Sequence, residues 1–294
     1  MKFVLTKILS ATSYATAKTR DALDTALRVQ NFARGILQFK ARPSDIFVVT
    51  YPRSGTTWVQ YILYLLTTDG SMEFEHITQV CPWFERSLAL GLQTVDDLES
   101  YSNPRIFKSH LPYAWTPKGA RYIYVVRNSM DVAVSYYNLY RSHLGFSGDF
   151  TEFLERFMKG QVQYRSWQEH VTGWEAHKHD NSVLWLTFKE LKQNMNACLD
   201  SIVAFLNLQI DADKLAQVQK HCSFESMKLH EDKFDHITSL LIEKGLKSGQ
   251  FLRKGKIGEG DKFFTEEQKQ RFRNSLQQTK FSGPSLLHLD LFLR

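Results

Sequence analysis

At 294 residues, with 43% hydrophobic and 23% charged positions, the chain has the composition of a soluble globular protein holding one large domain or two small ones. Its formal charge of +6 suits anionic ligands but is too modest and dispersed to point to nucleic acid, and there is no RNP-type aromatic motif or Lys/Arg block. Three cysteines, Cys81, Cys198 and Cys222, form no Cys-x-x-Cys pair, which argues against a disulfide framework and for a reducing, cytoplasmic setting.

Residues 1–40 read as a basic, helical N-terminal segment. Lys2, Lys7, Lys18 and Arg20 occur with no acid before Asp21, beside an apolar cluster of Phe3, Val4, Leu5, Ile8 and Leu9. A transit peptide, a membrane-surface helix and a frayed basic helix lying on the domain all fit this pattern. No apolar stretch reaches the length of a membrane span. Residues 41–294 read as a single domain. Strand-like apolar runs at 46–50, 105–109, 122–126 and 183–188 alternate with helical patterns at 57–67, 130–142, 151–159, 163–179, 196–206, 211–220 and 265–278. Such alternation predicts an α/β fold, a central parallel sheet with helices on both faces. Ligands bind these sheets beyond the carboxyl ends of the strands. The first three runs lead there into Arg53, Lys108-Ser109-His110 and Arg127. Residues 234–261, rich in Lys and Gly with weak periodicity, read as a long loop or lid.

The segment Thr50-Tyr51-Pro52-Arg53-Ser54-Gly55-Thr56-Thr57-Trp58 joins the first strand to the first long helical pattern. A strand turning through Ser54-Gly55 into a helix aims backbone N–H groups and hydroxyls at one spot, at the positive end of the helix dipole, and Arg53 adds a full charge. Anions bind such a spot. A Walker loop would carry Gly where Thr50 stands and Lys where Thr56 stands, so this loop is only P-loop-like.

Together with this segment, Lys108-Ser109-His110, Arg127-x-x-x-Asp131-Val132-Ala133-Val134-Ser135-Tyr136-Tyr137 and Arg253-Lys254-Gly255 resemble the cytosolic sulfotransferases. These are single-domain α/β enzymes that move a sulfuryl group from 3′-phosphoadenosine 5′-phosphosulfate (PAPS) to an alcohol, phenol or amine. The resemblance runs from Ala41 to Phe272, with the motifs in the same order and at similar spacing. It implies that Arg53, Ser54, Gly55, Thr56, Thr57 and Trp58 hold the 5′-phosphosulfate of PAPS, with Trp58 also stacking on adenine. It gives the 3′-phosphate to Arg127, Ser135, Arg253, Lys254 and Gly255, and the adenine surroundings to Phe188, Cys222 and Phe224. A guanidinium fork plus a hydroxyl suits a phosphate dianion; the plain alternative for Arg127 is a surface ion pair with Asp131. The resemblance makes His110 the general base, since imidazole titrates near working pH. Lys108 and Arg53 neutralise the transferring group and its leaving oxygen. No metal is expected: His177 and His179 sit on a polar helix with no Cys or third His nearby and read as solvated surface.

Several positions depart from the family pattern. Arg53 stands where Lys is usual, Phe188 where Tyr is, and Cys222 where the Thr of a Thr-Ser-Phe segment is. The family's dimer signature, Lys-x-x-x-Thr-Val-x-x-x-Glu, is not met, because Asp261, Glu266 and Gln270 accompany Thr265. The family-type homodimer is therefore not expected. Trp83, Phe84, Tyr137 and Leu139, with Phe107 and Tyr113, neighbour the motif residues. They are candidates for an apolar pocket taking a small hydrophobic or aromatic alcohol or amine. Two other readings stay open. A nucleotide kinase with a degenerate phosphate loop would require Lys after Gly55 and an acid for Mg²⁺ where Arg127-Asn128 stands. A non-catalytic nucleotide-binding protein would have no use for His110 and Lys108.

Overall fold

The computed structural model describes the backbone of residues 2–234, 252 and 255–278. Four strands, β1 (Ile46–Thr50), β2 (Ile106–Ser109), β3 (Arg121–Val126) and β4 (Val183–Thr187), form one sheet in the order β2-β1-β3-β4, every pair parallel. Val48 lies beside Lys108 on one side and Ile123 on the other, so the three strand ends are level. The order runs from β1 out to β2, then back past β1 to β3. That reversal makes a topological switch point between β1 and β3, where the crevice of an open parallel sheet lies.

Eleven helices precede residue 230: α1 (Lys2–Gln38), α2 (Thr56–Thr67), α3 (Phe84–Ala89), α4 (Val95–Glu99), α5 (Ser129–His143), α6 (Phe150–Met158), α7 (Trp167–Glu175), α8 (Phe188–Gln193), α9 (Met195–Leu206), α10 (Ala212–His221) and α11 (Phe224–Leu229). Among the described residues two more, Glu259–Phe263 and Glu266–Gln278, follow. Side chains alternate across each strand and feed two separate cores. Phe47, Phe107, Tyr122 and Tyr124 pack with Phe32, Phe39, Phe84, Val132, Phe153 and Trp174 on one face. Ile46, Val48, Ile106, Ile123 and Val125 pack with Val59, Ile62, Leu199 and Ile202 on the other. Burial on both faces is why the strands read as continuous apolar runs. The aromatic face is tied by ring contacts such as Phe47–Phe107 at 4.9 Å and Tyr124–Trp185 at 4.6 Å, each worth about 0.5–1.5 kcal/mol beyond burial.

Three details differ from the sequence expectation. Phe188 opens α8 and does not end β4, because Thr187 caps that helix, its side chain accepting from Glu190 N while Glu190 reaches back to Thr187. The pattern at 163–179 becomes the shorter α7. Tyr164 and Arg165 hold φ of 65° and 57°, which no right-handed helix continues through, and Ser166 then caps the start. Helices α3, α4, α8 and α11 span five or six residues each, too short to show a 3.6-residue period. Among the described residues no helix is long and apolar enough to cross a membrane.

Candidate active site

β1 ends at Thr50, and residues 51–55 turn the chain into α2. Arg53 and Gly55 take left-handed φ values of 69° and 101°. Gly55 is required twice over: by that φ, and because a Cβ there would lie 2.9 Å from Phe188 Cδ2. As the N-cap of α2 it offers no side-chain hydrogen bond, so the positive helix end faces the crevice without a side-chain cap. Beside it, Ser54 Oγ is buried without a hydrogen-bond partner. An enclosed hydroxyl left unpaired costs about 1–3 kcal/mol, a cost an anionic ligand removes. Helix end and hydroxyl together fit the 5′-phosphosulfate of PAPS.

Across the switch point, Asn128 caps α5 by accepting from Met130 N and Asp131 N. Arg127, just before it, donates Nη1 to Arg53 O at 2.9 Å and Nη2 to Lys256 O at 3.0 Å. Its guanidinium lies 4.3 Å from the Phe188 ring centroid. Asp131 is committed elsewhere, accepting from Gly258 N at 3.0 Å and Gly260 N at 2.7 Å. Those bonds anchor the start of the helix Glu259–Phe263 on α5 and bring Gly255 and Lys256 back to the crevice. Arg53 Nε donates to Ser135 Oγ at 3.1 Å, joining the first loop to the residues expected at the 3′-phosphate. Arg53, Arg127, Ser135 and Gly255 thus converge. Arg253, Lys254 and residues 235–250 of the expected lid lie outside the described residues.

The expected adenine surroundings also come together. Trp58 Nε1 donates to Cys222 O at 2.7 Å, and the Trp58 and Phe188 rings are 5.9 Å apart. A Cβ on Gly255 would meet Phe224 at 2.8 Å, so Gly255 lies against that ring. Burial pushes the Cys222 thiol up to about 11, so it stays protonated. Cys222 holds Trp58 through its main chain, and replacing the usual Thr leaves that contact intact. Lys192 Nζ, 5.5 Å from the Trp58 centroid and 5.9 Å from that of Phe224, is a cation that sequence reading missed.

At the end of β2, Lys108 is buried, with Nζ 3.8 Å from the Trp83 ring centroid. His110 is buried too, and every polar part of its frame is held. Nδ1 lies 2.8 Å from Thr50 O, so Nδ1 carries the proton and Nε2 the lone pair. Its N–H donates to Glu85 Oε1 at 2.9 Å, and its carbonyl accepts from His170 Nε2 at 3.1 Å. His170 Nδ1 in turn accepts from Tyr124 OH at 3.0 Å. Trp83 and Tyr164 stand around the His110 ring at 5.2 and 5.0 Å.

Burial, then the Lys108 charge, with smaller effects from His170 and Arg53, holds His110 well below its ordinary pKa. Burial lowers His170 to about 4. Both imidazoles are therefore neutral at neutral pH. As pH falls below about 6.5 the unfolded chain binds protons at these positions and the folded chain does not, so stability declines toward pH 4. Each imidazole contributes a slope of about 1.4 kcal/mol per pH unit in that window, and Glu85, raised by burial, offsets part of it. Urea midpoints should be clearly lower at pH 5 than at pH 7.5; equal midpoints would contradict this account.

Of the acceptor-side candidates, Trp83 adjoins His110. Tyr137 packs against Phe150 and Phe153 at 5.3 and 5.6 Å, in the core that also buries Leu139. Phe84 begins α3 and is fully buried among Phe39, Phe47 and Phe107, a core position under the sheet. Sequence reading missed Thr50, Glu85, Tyr164 and His170. His170 carried a usable signal, standing four residues before Trp174 on one helix face. Thr50 acts on His110 through its carbonyl, which no side-chain pattern reveals.

The switch point of the parallel sheet thus gathers the start of α2, Arg53, Arg127 and the buried His110 around one crevice. The sulfotransferase-domain family model matches residues 43–283. Sulfotransferase 1B1 of dog is 36% identical over 85% of this chain and 88% of its own length, and that of mouse is 35% identical over 85% and 87%. The crystal structure of mouse sulfotransferase SULT7A1 complexed with PAP superposes with a TM-score of 0.66 at 27% identity, covering 90% of this chain and 94% of that one. The chain belongs to the sulfotransferase family and is an enzyme that transfers a sulfuryl group.

Proposed function

We propose that this sulfotransferase carries the sulfuryl group of PAPS to the hydroxyl or amine of a small hydrophobic or aromatic acceptor, with His110 as general base. The donor is PAPS, whose desulfated form, PAP, is the ligand of the mouse structure. The observation that carries the reading is the orientation of His110: with Nδ1–H committed to Thr50 O, Nε2 is the basic nitrogen. Nε2 takes the acceptor's proton as the acceptor atom bonds to sulfur and the bond from sulfur to the 5′-phosphate oxygen breaks. Lys108 and the start of α2 meet the negative charge that gathers on the departing phosphate. Arg53 serves the phosphosulfate end, Arg127, Ser135, Arg253, Lys254 and Gly255 hold the 3′-phosphate, and Trp58, Phe188 and Phe224 flank the base. The expected small-molecule acceptor lies on the Trp83 side of His110. The buried, unpaired Cys81, Cys198 and Cys222 suit a reducing, cytoplasmic setting.

The experiment is incubation with sulfur-labelled PAPS and a panel of phenols, steroids and amines, with and without EDTA. Labelled product that forms equally well in chelator is expected, because cationic side chains supply the charge compensation. No transfer to any acceptor, or transfer lost in EDTA and restored by Mg²⁺, would overturn the reading.

A further inference from the structure

Glu85 lies on the first turn of α3, fully buried, and none of the ion pairs among the described residues involves it. An acid in such a place is costly unless something depends on its hydrogen bonds. One oxygen, Oε1, accepts three: from His110 N at 2.9 Å, from Trp83 Nε1 at 2.6 Å and from Tyr164 OH at 3.2 Å. The other, Oε2, is enclosed without a partner. The three donors come from separate stretches of chain, and all belong to the immediate frame of the imidazole. Trp83 and Tyr164 are its ring neighbours, and the His110 amide fixes the peptide from which the ring springs.

We infer that Glu85 is a positioning residue, whose single oxygen Oε1 fixes the His110 main chain and the two flanking rings so that Nε2 faces the acceptor. The inference rests on the reading of His110 as the base. Three constraints then define the imidazole. Glu85 holds the peptide before His110, His170 the carbonyl after it, and Thr50 O stops rotation of the ring. With both peptide units fixed, the Cα–Cβ direction is fixed. With Nδ1 fixed, the lone pair on Nε2 has one direction. General-base catalysis is sensitive to such placement, since displacing a reacting group by about 1 Å costs on the order of 10²-fold in rate. A negative charge is not what the site requires. Burial raises the pKa of Glu85 toward the neutral acid, and an amide oxygen accepts the same three bonds.

The test measures kcat, KM, affinity for the bisphosphate and melting temperature for Glu85→Leu, Glu85→Gln, His110→Ala and the His110→Ala/Glu85→Leu double variant. Glu85→Leu should lower kcat by roughly 10–100-fold with bisphosphate affinity unchanged, and Glu85→Gln should recover kcat to within about threefold of the parent enzyme. In the His110→Ala background, Glu85→Leu should cost no more than about twofold, because the residue it positions is gone. Equal losses in both backgrounds, or a Glu85→Gln enzyme as poor as Glu85→Leu, would overturn the inference. Tyr164→Phe removes one of the three bonds without emptying the site, and it should show the same dependence on His110 if Glu85→Leu does not fold. A fully active His110→Ala enzyme would defeat the base assignment itself. An active Glu85→Leu enzyme beside an inactive His110→Ala enzyme would defeat only the positioning role.

Discussion

Replacing His110 with alanine is expected to lower turnover by about 10²–10⁴-fold, the usual contribution of a general base, while leaving affinity for the bisphosphate nearly intact. The separation follows from geometry. His110 directly follows β2 and is enclosed by Trp83, Tyr164, Glu85 and His170, whereas the expected donor-side contacts come largely from residues that follow β1 and β3. A purely structural histidine would behave otherwise. Its role would be to fill space and donate to Thr50 O, which asparagine can imitate in part. His110→Asn should therefore be nearly as slow as His110→Ala even where its melting temperature is close to that of the parent. An active His110→Asn enzyme, or a loss of turnover that merely tracks thermal stability across the two variants, would remove the assignment.

Arg127→Ala is expected to show the opposite pattern, with bisphosphate binding weakened by more than tenfold and turnover recovered at saturating donor. A charge-assisted hydrogen bond is worth about 1.5–3 kcal/mol, or roughly 10–150-fold in affinity. The side chain also donates to Arg53 O and Lys256 O, so its removal loosens the phosphosulfate loop and the returning 255–256 segment together. Arg127→Lys should fall between the two, since lysine keeps the charge and loses the planar fork. Calorimetry with the bisphosphate and with ATP provides the control. ATP lacks the 3′-phosphate, so the parent enzyme should prefer the bisphosphate and Arg127→Ala should narrow the preference. A ratio unchanged by the substitution would show that Arg127 does not serve the 3′-phosphate.

The sheet and the strand-to-helix loop after β1 were legible in the sequence because both are properties of consecutive residues. Strands buried on two faces leave apolar runs, and the Thr50–Trp58 segment carries its own turn and charge. Side chains that act through space were less legible. Glu85 follows Trp83 and Phe84 in an apolar stretch, and nothing local shows that its partners are an amide near residue 110 and a hydroxyl at residue 164. An ion pair with Asp131 is the plain alternative the sequence offers Arg127, but the Asp131 carboxylate captures the amides of Gly258 and Gly260, a contact set by the path of the chain after residue 255. Phe84 sat among residues next to the site, yet the first turn of α3 directs it into the Phe39, Phe47 and Phe107 cluster. Proximity along the chain could not distinguish the wall of a pocket from the layer beneath it.

The residues around the crevice are embedded to different depths. Arg53, Trp58, Arg127, Phe224 and Gly255 are half-exposed, while Trp83, Glu85, His110, Tyr164 and His170 are buried and continuous with the aromatic core. Substitutions at the half-exposed Arg53, Trp58 and Phe224 disturb less packing, so directed evolution can explore them one at a time. Those at the buried positions disturb the same rings that hold the sheet to its helices. A campaign to change the acceptor would first exhaust the chain's reserve of stability, and scaffolds with a raised melting point would be the better starting material for it. Changes confined to the half-exposed positions carry no such entry requirement.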